Sequence, residues 1–411
     1  MSLKKMGRGA IASIVSVAMG LGLAACGSDH SVGYVYTTTA QSTSGLVNGY
    51  KVYYQQGYLL QLPNSPLPSG GKNPVTLVAS PDHLSVYVVH RDDSNVVHFL
   101  IGTDGKLYPQ KTYNISGSFA TDASIDPAGK FLYVTYTYQN TLTLDGNGNI
   151  TQQEQLYTPA NPGPGGVTVF PIGSDGSLGS PFDVHVGRNP VKISATDPNH
   201  FVYIASQDTG TTTNLLGFSQ DPNTGRLTKL PGVTINEGNV PSVGFQSGVT
   251  PAGVLVDASG GHLYVTDQGA NDVLTYSLGS NGVPTLLGSV DTDQSPAGMT
   301  IDPSGKYFYV ASYGAGAING YTLGSDGVPV RSSIAGSVQV GTGPTCLAFI
   351  DAPAGGSSHA TYLYSSNALS SNISGTQMDP TDGRLRLIQR APFGANALPS
   401  CIVAVPAVSA R

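Results

Sequence analysis

The sequence predicts an all-β protein: a seven-bladed ring of four-stranded antiparallel blades, closed by the C-terminal strand joining the N-terminal blade. Three observations predict it. Gly (53) and Pro (28) are abundant in the 411 residues while charged residues make up only 11%, a composition that favours turns over long helices. A short strand centred on Tyr recurs seven times. Each recurrence is framed by the same turn residues, the signature of a repeat architecture. Trp is absent, which excludes repeats built on a Trp-Asp dipeptide.

The chain opens with Lys4, Lys5 and Arg8 ahead of an apolar run over 10–23, too short to span a bilayer and suited to the core of a signal peptide. It ends Leu23-Ala24-Ala25-Cys26-Gly27, which resembles the lipobox of bacterial lipoproteins. The resemblance implies that residues 1–25 are removed, that Cys26 is lipidated, and that the membrane is a partner through its acyl chains. Gly27 stands where an inner-membrane retention signal usually has Asp, so the expected location is the outer membrane. Residues 26–33 are read as lipidated Cys and tether, 34–406 as the ring and 407–411 as a tail. Three of the 19 basic residues lie in 1–25, which leaves 16 against 25 acidic ones, a net charge of −9. That balance argues against nucleic acid as a partner.

The Tyr strands are Val35-Tyr36-Thr37, Val86-Tyr87-Val88, Leu132-Tyr133-Val134, Val202-Tyr203-Ile204, Leu263-Tyr264-Val265, Phe308-Tyr309-Val310 and Leu363-Tyr364-Ser365. Ahead of them stand turns such as Asp126-Pro127-Ala128-Gly129-Lys130 and Asp302-Pro303-Ser304-Gly305-Lys306, where Pro presets φ and Asp bonds its own backbone. After them come hairpins such as Thr103-Asp104-Gly105 and Ser325-Asp326-Gly327, whose Gly supplies the positive φ of a tight turn. A Pro opens a further strand upstream, at Pro74, Pro190, Pro251, Pro296 and Pro344, a position where its missing N–H costs no ladder bond. The last Pro strand, at Pro399, has no Tyr strand after it, and the first Tyr strand has no Pro strand before it. Joining the two completes one blade and seals the ring.

This pattern resembles the seven-bladed lactonase-family propellers, the 6-phosphogluconolactonase-like group, and also bacterial surface repeats with a Tyr-Val-Thr-Asn motif, of which Tyr264-Val265-Thr266-Asp267 is a near copy. The resemblance covers nearly the whole mature chain and speaks to fold more than to activity.

In propellers the loops entering the innermost strands and those joining the second and third strands share one face around the channel, the usual ligand side. Lactone hydrolysis needs a group to activate water and a site for the developing oxyanion. His90, Arg91 and Asp267 are the candidate catalytic residues, although no Pro strand here carries the Pro-His of lactone-active relatives. Asp92, Asp93, Arg188, Asn189, Gln207, Asp208, Gln268, Asn271, Asp272, Tyr313 and Asn367 are candidate ligand contacts or plain solvated loop residues. His83, His200 and His262 each precede a Tyr strand and read as structural. Asp145-Gly146-Asn147 reads as a hairpin tip rather than a calcium loop, because Ile150 and Leu156 stand where Gly and Glu are required. No metal and no cofactor are expected. Cys346 and Cys401, each two residues after a strand-opening Pro, are a disulfide or two buried thiols. The insertion over 139–166 belongs to the third blade. The resulting expectation is a monomeric, membrane-anchored envelope lipoprotein that serves as a small-molecule- or protein-binding platform, with lactone hydrolysis as the alternative.

Overall fold

The computed structural model describes residues 31–147, 150–158, 160, 163–208, 210–236, 240–351 and 360–407. The leader, Cys26, His30 and His359 lie outside these described residues. The strands form seven four-stranded antiparallel blades of a β-propeller, three of them with a short extra strand. Blade 1 takes Pro399–Pro406 as its innermost strand, followed outward by Ser31–Thr39, Leu46–Tyr53 and Leu59–Gln61. Blade 2 starts at Pro74–Ala79, blade 3 at Ser118–Ile125, blade 4 at Pro190–Ser194, blade 5 at Pro251–Val256, blade 6 at Pro296–Ile301 and blade 7 at Pro344–Asp351. The clasp is a regular antiparallel pair, with Tyr34 opposite Val405, Tyr36 opposite Val403 and Thr37 opposite Ile402. Its N-terminal strand begins at Ser31, so residues 31–33, expected in the tether, belong to the ring.

What binds one blade to the next is written in the repeat itself. Each central Tyr hydroxyl donates to the carbonyl of the hairpin glycine of the following blade. The bonds run Tyr36 to Gly105 (2.6 Å), Tyr87 to Gly176 (2.7 Å), Tyr133 to Gly225 (3.1 Å) and Tyr203 to Gly282 (2.6 Å). They continue Tyr264 to Gly327 (2.9 Å), Tyr309 to Gly383 (2.6 Å) and, across the seam, Tyr364 to Gly57 (2.5 Å). These glycines all have positive φ, the backbone state that L side chains resist. They also lack room: a Cβ on Gly105 would stand 2.0 Å from the ring of Tyr34, and one on Gly327 2.4 Å from that of His262. The residue two before each central Tyr therefore packs against the same glycine, a ring in six blades and the Ser85 hydroxyl in blade 2. The Tyr motif and the hairpin motif are the two halves of one inter-blade contact.

A second repeat position lies at the opposite end of the blade. In six of the seven blades a Pro opens the inner strand and faces the last residue of the Tyr strand: Pro74 with His90, Pro190 with Ser206, Pro251 with Asp267, Pro296 with Ser312, Pro344 with Asn367 and Pro399 with Thr39. All six partners are polar and buried. A shift in register follows the Pro in each pairing, the bend that a bulge introduces. Within the third-blade insertion, Asn140–Leu144 pairs with Ile150–Gln155 as a separate two-stranded sheet. Asp145 accepts the Asn147 N–H at its tip, as a turn carboxylate does.

Candidate functional site

The loops after the Tyr strands and before the inner strands share one face of the ring, and the candidate residues are distributed around it. The proposed catalytic trio is not assembled there. His90 belongs to blade 2 and Asp267 to blade 5, with two blades between them. His90 is fully buried, its Nε2 within 2.8 Å of Ser69 Oγ, and burial pushes its pKa down to about 4. Asp267 is equally buried and accepts the N–H groups of Val249 (2.9 Å), Thr250 (2.7 Å) and Gly269 (2.8 Å). Both occupy the buried polar position opposite the inner-strand Pro, where they fasten the incoming loop. Arg91 is exposed and pairs with its neighbour Asp92 at 2.9 Å. A repeat position that needs only some polar side chain holds His in one blade and Asp in another.

The other candidates divide in the same way. Asn367 is buried and donates to Asn372 and Ser374. Asn271, at positive φ, accepts the Ser295 N–H, and Asp93 accepts that of Lys72. Burial pushes the Asp272 carboxyl upward, with Asp267 and Asp291 adding to the shift. Gln268 contributes its backbone N–H to Thr250, and the Tyr313 ring edge lies against Gly343.

Four of the candidates do converge. Asn189, Gln207 and Asp208 line an open basin of about 860 Å3 between blades 4 and 5, completed by Gly210, Thr211, Thr212, Val249 and Thr250. Asn189 Nδ2 donates to Gln207 O (3.2 Å), and Gln207 Nε2 donates to Pro251 O (2.8 Å), tying the blade 4 loop to the blade 5 inner strand. Arg188 lies behind this wall, its Nε 3.6 Å from Asp208 Oδ2, with both side chains largely buried. The basin falls within the size range of small-molecule clefts.

Two further cavities are built from repeat positions. One of about 720 Å3 runs along the seam of blades 5 and 6 and contains His262 bonded to Asp257 (2.9 Å). That Asp is the turn residue of its blade and that His the ring stacked on Gly327, so the pair repeats scaffold geometry. The other, about 490 Å3, is the turn-side mouth of the channel, lined mainly by Val78, Ala123, Leu347, Phe349 and Val403. The sequence reading missed one feature of the inner strands, the ion pair of Lys192 with Asp122 at 3.3 Å. Its signal was available, since Lys192 is the one basic residue on the seven inner strands. Cys346 and Cys401 are joined by a disulfide between the inner strands of blades 7 and 1. Among the described residues no group of three metal-ligating side chains gathers.

A closed seven-bladed propeller is a scaffold that hosts many unrelated functions. Within it, residues 233–345 match the family model for the lactonase seven-bladed β-propeller, a segment that spans blades 5 and 6. The chain is similar in structure to a candidate 6-phosphogluconolactonase from Bacteroides fragilis, with a TM-score of 0.68, 19% identity, and coverage of 90% of this chain and 97% of that one. It is likewise similar to the periplasmic gluconolactonase of Pseudomonas aeruginosa, with a TM-score of 0.68, 17% identity, and coverage of 92% and 99%. At these identities the likeness carries the fold. No curated protein matches the sequence significantly.

Proposed function

We propose that the chain is an exported, lipid-anchored propeller that serves as a ligand-binding platform, with the basin between blades 4 and 5 as its site. The observation that carries this reading is the basin, where amide, hydroxyl and carboxylate side chains converge while His90 and Asp267 are spent on holding loops. Export is supported by the lipobox-like leader and, independently, by the Cys346–Cys401 disulfide, a bond that persists in oxidising compartments. The acyl chains on Cys26 hold the protein to the membrane, the outer membrane by the residue after the cysteine, and the ring works as a monomer.

Lactone hydrolysis is the second reading. It is favoured by the lactonase-model segment, which contributes Val249 and Thr250 to the basin, and by the gluconolactonase neighbours. Two experiments test the pair. Replacing Cys26 by Ala is expected to move the full-length protein from the membrane fraction to the soluble one; continued membrane retention refutes the anchor. Gluconolactone turnover by the purified mature protein is expected to match the buffer blank. Turnover that disappears in Arg188→Gln and Asp208→Asn replaces the platform reading with the enzymatic one.

A further inference from the structure

The basin's hydrogen-bonding polarity is set by its own wall. Backbone carbonyls only accept, so the amide nitrogens of Asn189 and Gln207 must face Gln207 O and Pro251 O, which fixes both amide orientations. The oxygens Asn189 Oδ1 and Gln207 Oε1 are then the ends left for a ligand. The backbone N–H groups of Val249 and Thr250 are turned inward onto Asp267, and that of Gln207 onto Asn189 O. Thr211 Oγ1 accepts from the Thr213 N–H. Among the described residues no Lys or Arg lines the basin. The nearby cation, Arg188, sits behind the wall against Asp208. Val249, 62% exposed, adds an apolar surface at the rim.

Such a basin is weighted towards acceptors and carries no cation to offset an anion's desolvation. We propose that it binds a neutral, hydroxyl-rich ring such as an unmodified hexose, hydroxyls donating to Asn189 Oδ1 and Gln207 Oε1 and a C–H face resting on Val249. Thr212, at the exposed edge of the wall, is outside this set of contacts. The same wall rejects the phosphorylated or carboxylated counterpart. This inference rests on the basin being the ligand site, and its test separates the two claims.

The experiment is calorimetric titration of the full mature protein in detergent with methyl β-glucoside, glucose 6-phosphate and gluconate, repeated on Thr212→Lys. Thr212 is exposed on the basin wall, so the variant adds a cation without disturbing the ring. The unaltered protein is expected to bind the neutral glucoside at least about tenfold more tightly than either anion. Thr212→Lys is expected to raise glucose 6-phosphate affinity by about tenfold, the effect of one charge-assisted contact, and to leave the glucoside within about threefold. Preference for an anion in the unaltered protein, further strengthened in Thr212→Lys, overturns the polarity argument and keeps the basin as the site. Affinities that do not respond to Thr212→Lys, or no binding of any of the three, overturn the basin itself and the inference with it.

Discussion

Replacing Tyr203 by Phe removes one hydroxyl and nothing else from the interface of blades 4 and 5. That hydroxyl donates to Gly282 O at 2.6 Å, and the tyrosine is fully buried. Burial raises its pKa above the ordinary phenol value, so at neutral pH it is a donor. The ring volume is conserved in Phe, so the cost is the carbonyl left without its partner, about 1–3 kcal/mol. Urea unfolding followed by tyrosine emission suits a chain with 22 Tyr and no Trp. The midpoint should fall with an unchanged slope, since the surface exposed on unfolding is the same. Tyr108→Phe is the control, its side chain being 48% exposed on an outer strand. Combining Tyr203→Phe with Tyr36→Phe, which unlatches blades 1 and 2, should add the two losses, because distant sites are independent. A Tyr203→Phe variant as stable as the control, within about 0.3 kcal/mol, would refute the latch as a source of stability.

Other consequences follow from single sites. His90 is held neutral with a pKa of about 4, while an unfolded histidine titrates near 6.5. Its contribution to stability is therefore complete above pH 6.5 and is lost as the pH falls towards 4, by roughly 3 kcal/mol at most. Unfolding free energies of the parent and of His90→Gln, measured across that window, should show the parent falling more steeply; parallel curves count against it. Cys346 and Cys401 are 55 residues apart in sequence, for which chain entropy allows about 4 kcal/mol of stabilisation. Cys346→Ser combined with Cys401→Ser should lower the thermal midpoint, and dithiothreitol should lower that of the parent but not of the variant. Equal sensitivity of both proteins to the reductant would show that the bond contributes nothing.

The ring was legible because its signals are local and repeated. Tyr at the strand centre, Asp-Gly or Asn-Gly at the hairpin and Pro at the inner strand each have a conformational reason visible without coordinates. The clasp was legible because two incomplete units, at Val35 and at Pro399, complete each other. The latch was not: nothing in spacing alone says that Tyr36 reaches Gly105, since the pairing crosses from one blade to the next through a distance only the closed ring defines. The separation of His90 from Asp267 was hidden for a related reason. Read singly, His90 and Asp267 look like chemistry. Read as one register position occupied also by Ser206, Ser312, Asn367 and Thr39, they are fasteners whose identity is loosely constrained.

That comparison turns the repeat into a filter for function. A position filled in six of the seven blades by whatever side chain can hold the neighbouring loop belongs to the scaffold, however reactive one of its occupants is. The bulge layer two residues after the inner-strand Pro behaves differently. Its occupants include Lys192, Gly253, Gly298, Cys346 and Cys401, and adjacent blades solve the contact there in unlike ways, by an ion pair between blades 3 and 4 and by a disulfide between blades 7 and 1. The basin passes the filter too. Asn189 and Gln207 stand at repeat positions, but the rest of its wall, Asp208, Gly210 to Thr212, Val249 and Thr250, comes from the blade 4 loop and from the long connection that leads to Pro251, neither of which has a counterpart of the same length in blade 5 or 6. Selection on a fold that closes regardless of these segments can shape them for a ligand, and the polar side chains gathered there give it something to act on.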